Sequence, residues 1–192
     1  GPYMGGASII LGTFLSIVFG RPPIFLGLDF LPALVGAVAL GLLVRRRFHL
    51  VGLFYSVIIL FFLVNPLTLI SVNFPYGIFV PFNWLHFVAF IILISPLSRK
   101  ALNWITADSS KYLPQGLLIL CFIGTMMQHL TGAILFENVF GFLLAEIPAD
   151  GWPAIWTTIF YLYPIERIMI TVIATIIGSA LFITLGISRK TG

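Results

Sequence analysis

PQGLLILCFIGTMMQHLTGAILF, the stretch from Pro114 to Phe136, contains no Asp, Glu, Lys or Arg. It is long enough for a helix that crosses the hydrocarbon core of a bilayer, which takes about 20 apolar residues. The rest of the chain has the same character, since 60% of its 192 residues are hydrophobic and only 8% are charged. A soluble domain carries about 25% charged residues on average. The sequence therefore predicts an all-α integral membrane protein whose main partner is membrane lipid.

Further apolar segments accompany this stretch, and together they predict a bundle of about six transmembrane helices in a single domain, residues 1–192. They run from about residue 3 to 20, 31 to 44, 50 to 71, 84 to 97 and 165 to 187. The segments 31–44 and 84–97 are short for a bilayer. They would need their flanks, or neighbouring helices, to span it.

The connections between the segments alternate in charge. The strongly basic ones follow the second, fourth and sixth segments and contain Arg45, Arg46, Arg47 and His49, then Arg99, Lys100 and Lys111, then Arg189 and Lys190. The remaining connections are neutral or acidic, and the positive-inside rule places the basic ones in the cytoplasm. We therefore predict a multi-pass protein of the plasma membrane with both ends cytoplasmic. The same distribution accounts for the net charge of +4 without a nucleic-acid partner.

Polar side chains within the segments gather in the halves that are predicted to face outward. Polar groups are costly against lipid, so they should face the bundle interior or water. We therefore predict a substrate-binding pocket that is open outward and closed inward by hydrocarbon. The predicted pocket residues are Asn65, Asn83, His86, Gln128, His129, Glu166 and Arg167.

Several of these residues also have a purely structural interpretation. His129 can serve as an interhelical hydrogen-bonding group, and Asn65 as a cap beside Pro66. Pro164 predicts a helix start, with Glu166 in the first turn, where the helix dipole favours an acid. The aromatic residues of the outer connections fit either an interfacial belt or a wall over a pocket.

Small residues recur at every fourth position on two segments. Faces of this kind let helices approach closely in lipid, but they do not say whether the partner lies in the same chain. The pattern therefore predicts either internal packing or partner docking. The residues are Ser8, Gly12 and Ser16 in the first segment, and Ala33, Ala37 and Gly41 in the second.

Motifs for common chemistry do not occur in the sequence. There is no HExxH, no CxxC and no GxxxxGK[ST], and His49, His86 and His129 are far apart along the chain. We therefore expect no enzymatic activity, no metal site and no cofactor. The single cysteine, Cys121, lies in an apolar run and is expected to be a packing residue.

Two parts of the chain resemble the substrate-binding (S) components of energy-coupling factor transporters. One is GPYMGGASIILGTFLSIVFG followed by RPPIFLGLDFLPALVGAVALGLLVRRR, and the other is YPIERIMITVIATIIGSALFITL near the end. The matching positions are Gly1, Pro2 and Gly5, with Pro164, Glu166 and Arg167. In that family the Gly-Pro run follows one or two earlier helices, so the resemblance implies helices upstream of this sequence.

The resemblance implies the solute-binding subunit of a vitamin or other micronutrient importer. Such a subunit captures its solute in an outward-facing pocket and works with a membrane coupling subunit and cytoplasmic ATPases. Arg167 could then contact a carboxylate or phosphate through two hydrogen bonds. The alternative is a structural or assembly subunit of a larger membrane complex, in which the polar residues join helices to one another.

Overall fold

The computed structural model describes residues 1–107 and 110–184. These residues form seven α-helices and one antiparallel pair of strands. The elements are α1 (Pro2–Val18), α2 (Leu31–Val44), α3 (Phe48–Leu63), β1 (Ser71–Phe74), β2 (Ile78–Pro81), α4 (Trp84–Ile94), α5 (Pro96–Thr106), α6 (Leu113–Phe136) and α7 (Trp152–Thr184). A π-helical stretch, Glu137–Leu143, continues α6. Arg189 and Lys190, which were predicted to lie in the cytoplasm, are outside the described residues.

The central helix is α6, which packs against α2, α3, α4, α5 and α7. In the most apolar stretch of α6, 56% is buried inside the protein. The corresponding share for α7 is 17%, so α7 presents most of its surface outward. Within the described part of the chain, two helices are long and apolar enough to cross a membrane: α6 with its π-helical continuation, and α7 with the turn before it. The bent pair α4 and α5 makes a third if it counts as one span. The helical class is confirmed, whereas the six spans and the cytoplasmic ends stay predictions.

The helices define two ends of the molecule. At one end, Arg46 donates to Oδ1 of Asn103 over 3.0 Å, which joins the end of α2 to α5. The Arg45 guanidinium lies 5.1 Å from the ring of Tyr3, so α1 begins there too. We call this the basic end. The opposite end, where α6 ends and α7 begins, is the pocket end.

The predicted segment 84–97 is wrong as a single helix. α4 ends at Ile94, and α5 begins at Pro96 after a bend of 67°. Proline lacks an N–H and disfavours the helical conformation at the residue before it. Ser95 is accordingly extended, with ψ 165°, and its hydroxyl accepts a hydrogen bond from the Leu97 N–H over 3.2 Å.

The predicted helix start at Pro164 is also wrong. α7 begins at Trp152, and Pro164 lies inside it. A proline in a helix interior removes one backbone hydrogen bond. Large aromatic side chains at helical spacing before Pro164 offset that loss, because each is almost fully buried. They are Trp152, Trp156, Phe160 and Tyr163.

The predicted third segment, 50–71, is too long. α3 ends at Leu63, and the Asn65 side chain accepts a hydrogen bond from the Leu67 N–H over 3.0 Å in the turn that follows. The chain then forms the β1–β2 hairpin, which was not predicted, with Ser71 paired to Pro81. Tyr76 at its tip has a φ of 69°, a left-handed conformation that the tight turn imposes.

α1 packs on α2 at Gly6, which was not predicted, and at Gly41, which belongs to the predicted small-residue face of α2. A Cβ atom at Gly6 would lie 2.9 Å from Cδ1 of Leu34, and one at Gly41 only 2.5 Å from Cα of Pro2. On α1 itself, Ser8 and Gly12 are exposed, and a Cβ at Gly12 would meet nothing within 4 Å. Within the described residues this face shows no internal packing at Gly12, and partner docking of the Ser8–Gly12 face stays a prediction. Ala37 does face α1, 3.8 Å from a Cβ at Gly5, whereas Ser16 and Ala33 are half-buried.

Candidate functional site

A cavity of about 400 Å³ lies at the pocket end, between the start of α2 with the loop before it, α6 and α7. Its wall combines aromatic rings with a small number of polar groups, which is typical of small-molecule sites. The loop and α2 contribute Phe25, Asp29 and Pro32; α6 contributes Gln128, His129, Gly132, Ala133 and Phe136; α7 contributes Trp156, Ile159, Glu166 and Arg167.

Helical periodicity explains why α6 presents these residues together. His129, Gly132 and Phe136 are separated by three and four positions and therefore share one face of the helix. Gly132 has no side chain, and a Cβ there would be 3.8 Å from the Pro32 ring. This close approach of α2 and α6 brings the loop residues Phe25 and Asp29 to the cavity.

Among the residues that line the cavity, Arg167 carries the permanent positive charge. The residue is only 8% exposed, and Nη2 donates to Oε1 of Glu166, whose side chain is 58% exposed. Among the described residues, the buried Nε of Arg167 has no hydrogen-bond partner. Leaving such a donor unsatisfied is costly, so an acceptor brought by a ligand would stabilise it.

Two histidines from different helices meet behind this wall. Nε2 of His86 and Nδ1 of His129 are 3.0 Å apart, and the His129 ring stacks on Tyr163 with 4.9 Å between centroids. One hydrogen is shared between the two nitrogens, and Nδ1 of His86 is buried without a partner among the described residues. A buried acceptor without a partner is tolerated better than a buried donor. We therefore assign the shared hydrogen to His86 and an N–H to Nε2 of His129, which makes His129 a second donor at the cavity.

Asp29 does not supply a free negative charge. Its Oδ1 accepts a hydrogen bond from the Ile24 N–H over 2.9 Å, and its Oδ2 one from the Phe25 N–H over 3.0 Å. Both carboxylate oxygens thus hold the loop before α2 in a turn. This turn sets the position of the Phe25 ring in the cavity wall.

The structure brings together some of the predicted site residues and separates others. Gln128, His129, Glu166 and Arg167 line the cavity. His86 reaches it only through His129. Asn65 lies in the turn after α3, and Asn83 is 1% exposed with both side-chain polar atoms unpartnered among the described residues. Neither asparagine belongs to the cavity wall.

The sequence left an aromatic wall open as one of two alternatives, but Phe25, Phe136 and Trp156 were not among the predicted pocket residues. Trp156 was assigned to an outer connection because α7 was expected to begin at Ile165. The signal was present in the spacing of Trp152, Trp156, Phe160 and Tyr163, which follows one helix face. Extending α7 back to Trp152 would have put Trp156 and Glu166 on the same helix.

The chain matches no protein-family model, no curated protein and no solved structure. The resemblance to the S components therefore stays a prediction. Within residues 1–107 and 110–184, no group of three or more His, Cys, Asp or Glu side chains could hold a metal ion. The chemistry of the cavity wall is thus the evidence from which function is inferred.

Proposed function

We propose that this chain is a multi-pass plasma-membrane solute-binding subunit, which captures a small molecule for import in the cavity between α2, α6 and α7. The observation that carries the proposal is a cavity of about 400 Å³ with the buried, partly unsatisfied Arg167 in its wall. Intramembrane charges are costly and are usually found where they serve a function.

The wall chemistry favours a solute with an acceptor group and a flat apolar body. Arg167 and His129 offer donors, and the Gln128 amide can both donate and accept. Phe25, Phe136 and Trp156 provide ring surfaces on which a planar body can lie. A small aromatic or heterocyclic carboxylate has both features.

A subunit of this kind would not energise transport itself. The sequence has no nucleotide-binding P-loop, so ATP hydrolysis would come from separate cytoplasmic ATPases through a membrane coupling subunit. The cavity would open on the outer face, and both chain ends would lie in the cytoplasm.

Thermal unfolding of the detergent-purified protein tests the proposal. A panel of small aromatic and heterocyclic carboxylates is added, and a ligand at 100 times its Kd should stabilise the fold by about 2.7 kcal/mol. We expect the stabilisation to be lost in Arg167→Ala and weakened in Gln128→Ala. Arg21→Ala is the matched control, because Arg21 is exposed and lies outside the cavity wall.

Two results would reject the proposal. One is a panel in which no compound shifts the melting temperature of the wild-type protein. The other is a ligand that stabilises Arg167→Ala as much as it stabilises Arg21→Ala.

A structural or assembly subunit is the second candidate. The exposed Ser8–Gly12 face of α1 favours it, because Ser8 is exposed and a Cβ at Gly12 would meet nothing within 4 Å. Small exposed residues of this kind are suited to close helix contact with another protein. Stable co-purification with a membrane complex that binds no solute would support this candidate over the first.

A further inference from the structure

A buried acid lies next to the cavity, at the junction of α6 and its π-helical continuation. Glu137 is 0% exposed and begins the π-helical stretch. Its Oε1 is 2.7 Å from Oγ1 of Thr68, and that hydroxyl oxygen is also 2.7 Å from the carbonyl oxygen of Phe62. Among the described residues, Oε2 of Glu137 has no hydrogen-bond partner.

The number of hydrogens available for these two contacts indicates whether Glu137 is protonated. The Thr68 hydroxyl has one hydrogen, and it cannot donate to both Phe62 O and an ionised Glu137. If Glu137 carries a proton on Oε1, the acid donates to Thr68 and Thr68 donates to Phe62 O. Both short contacts are then hydrogen bonds, so the geometry fits the neutral acid.

Among the described residues, no cation forms an ion pair with an ionised Glu137. From the loop before α2 the nearest acid is Asp29, which is bound to backbone N–H groups, and across the cavity Arg167 is paired with Glu166. Other ionisable residues of the neighbouring elements include His129 on α6, Tyr163 on α7, and two exposed acids of the loop before α7, Glu146 and Asp150. Among the described residues, no cationic nitrogen lies within the 4.0 Å of an ion pair with Glu137. A buried carboxylate without a counterion favours protonation.

We propose that Glu137 is a proton-binding site, held as a neutral carboxylic acid beside the solute cavity. On release, the O–H bond of Oε1 breaks and the proton passes to a water molecule that enters the junction. The carboxylate then accepts the hydrogen of Thr68, and Phe62 O keeps its second donor, the Asn65 N–H at 3.2 Å. This inference does not require the solute.

Contacts link this site to the wall of the cavity. The Phe62 ring packs edge-on against Trp156, with 5.5 Å between centroids. Nε1 of Trp156 donates to the carbonyl oxygen of Leu67, the residue before Thr68, over 3.0 Å. Since Trp156 lines the cavity, a change in the hydrogen bonding of Thr68 reaches a residue that would contact the solute.

Infrared spectroscopy of the detergent-purified full chain tests the proton site. A protonated carboxylic acid gives a carbonyl stretch that is separate from the amide bands and shifts in D₂O. We expect this band in the wild-type protein at neutral pH, its loss in Glu137→Gln, and its retention in Glu146→Gln, a matched change of an exposed acid in the loop that follows. No such band in the wild type, or a band that survives Glu137→Gln, would overturn the proposal.

A second variant keeps the test decisive if Glu137→Gln does not fold. Thr68→Val removes the acceptor of the Glu137 proton, so the band should move to higher frequency. Thr158→Val, at an exposed site of α7, should leave it in place. An unchanged band in Thr68→Val would overturn the assignment. No solute is added in these measurements, so they can reject the proton-binding site without rejecting the proposed solute binding. Failure of the solute-binding test likewise leaves the proton-binding site untouched.

Discussion

At the scale of single residues, Tyr163 joins the hairpin region to the histidine pair. Its side chain is 1% exposed, and its hydroxyl donates to the carbonyl oxygen of Phe82 over 2.8 Å. The same ring stacks on His129. One side chain thus fixes both the segment before α4 and the wall of the cavity.

Replacing Tyr163 by Phe should lower the free energy of unfolding by about 1 kcal/mol, because Phe82 O loses a buried donor. Thermal unfolding in detergent measures the change. Tyr161→Phe is the control, because it removes the same hydroxyl oxygen from a tyrosine that is 52% exposed. Equal melting temperatures for the two variants would show that the Tyr163 hydrogen bond contributes nothing.

The pair Glu166 and Arg167 shows how far single residues can be understood from sequence. Its place at the head of an otherwise uncharged apolar stretch suggested a functional charge, and the structure puts Arg167 in a cavity wall. Sequence reasoning placed the pair in the first turn of a helix, whereas it lies inside α7. The aromatic rings before Pro164 make the difference, because their burial depends on contacts with residues such as Phe82 and Phe136.

At the scale of elements, the crossing of α5 and α6 depends on one glycine. A Cβ atom at Gly116 would lie 2.6 Å from the Ala101 carbonyl oxygen and 2.8 Å from Cγ1 of Ile105. The two helices can approach this closely only without a side chain at that position. This contact holds α5 against the start of α6 after the bend at Pro96.

Gly116→Ala should therefore destabilise the protein by about 1–3 kcal/mol, the usual cost of overpacking a close contact. The matched control is Gly12→Ala, which adds the same methyl group to α1 where nothing lies within 4 Å. Its melting temperature should equal or exceed that of the wild type, since alanine favours helix over glycine. If both variants lose the same stability, the effect of Gly116→Ala does not come from the close contact between α5 and α6.

At the scale of the whole molecule, the basic end and the pocket end are opposite. Arg46 and Lys100 belong to the basic end, and the β1–β2 hairpin lies on the connection that is predicted to face outward. The positive-inside rule assigns the basic end to the cytoplasm. In that predicted orientation the cavity would open to the outside, as the proposed solute capture requires.

Cysteine labelling in intact cells measures this orientation. In a Cys121→Ala background, a cysteine replacing Tyr76, which is fully exposed at the hairpin tip, should react with a membrane-impermeant maleimide. A cysteine replacing Lys100, exposed at the basic end, should react only after permeabilisation. The reverse pattern would invert the topology and remove outward-facing capture.

The sequence by itself determined the class of the protein and the end at which its polar residues gather. Both follow from local composition, as in the uncharged stretch 114–136 and the basic cluster Arg45–Arg47. Neither conclusion requires knowledge of which residues are in contact. Tertiary structure decided which polar residues meet. Phe25, His129 and Trp156 share one cavity because of how α2, α6 and α7 approach and rotate, while Asn65 and Asn83 are carried elsewhere. Those contacts join residues far apart in the chain, and packing, not hydropathy, selects them.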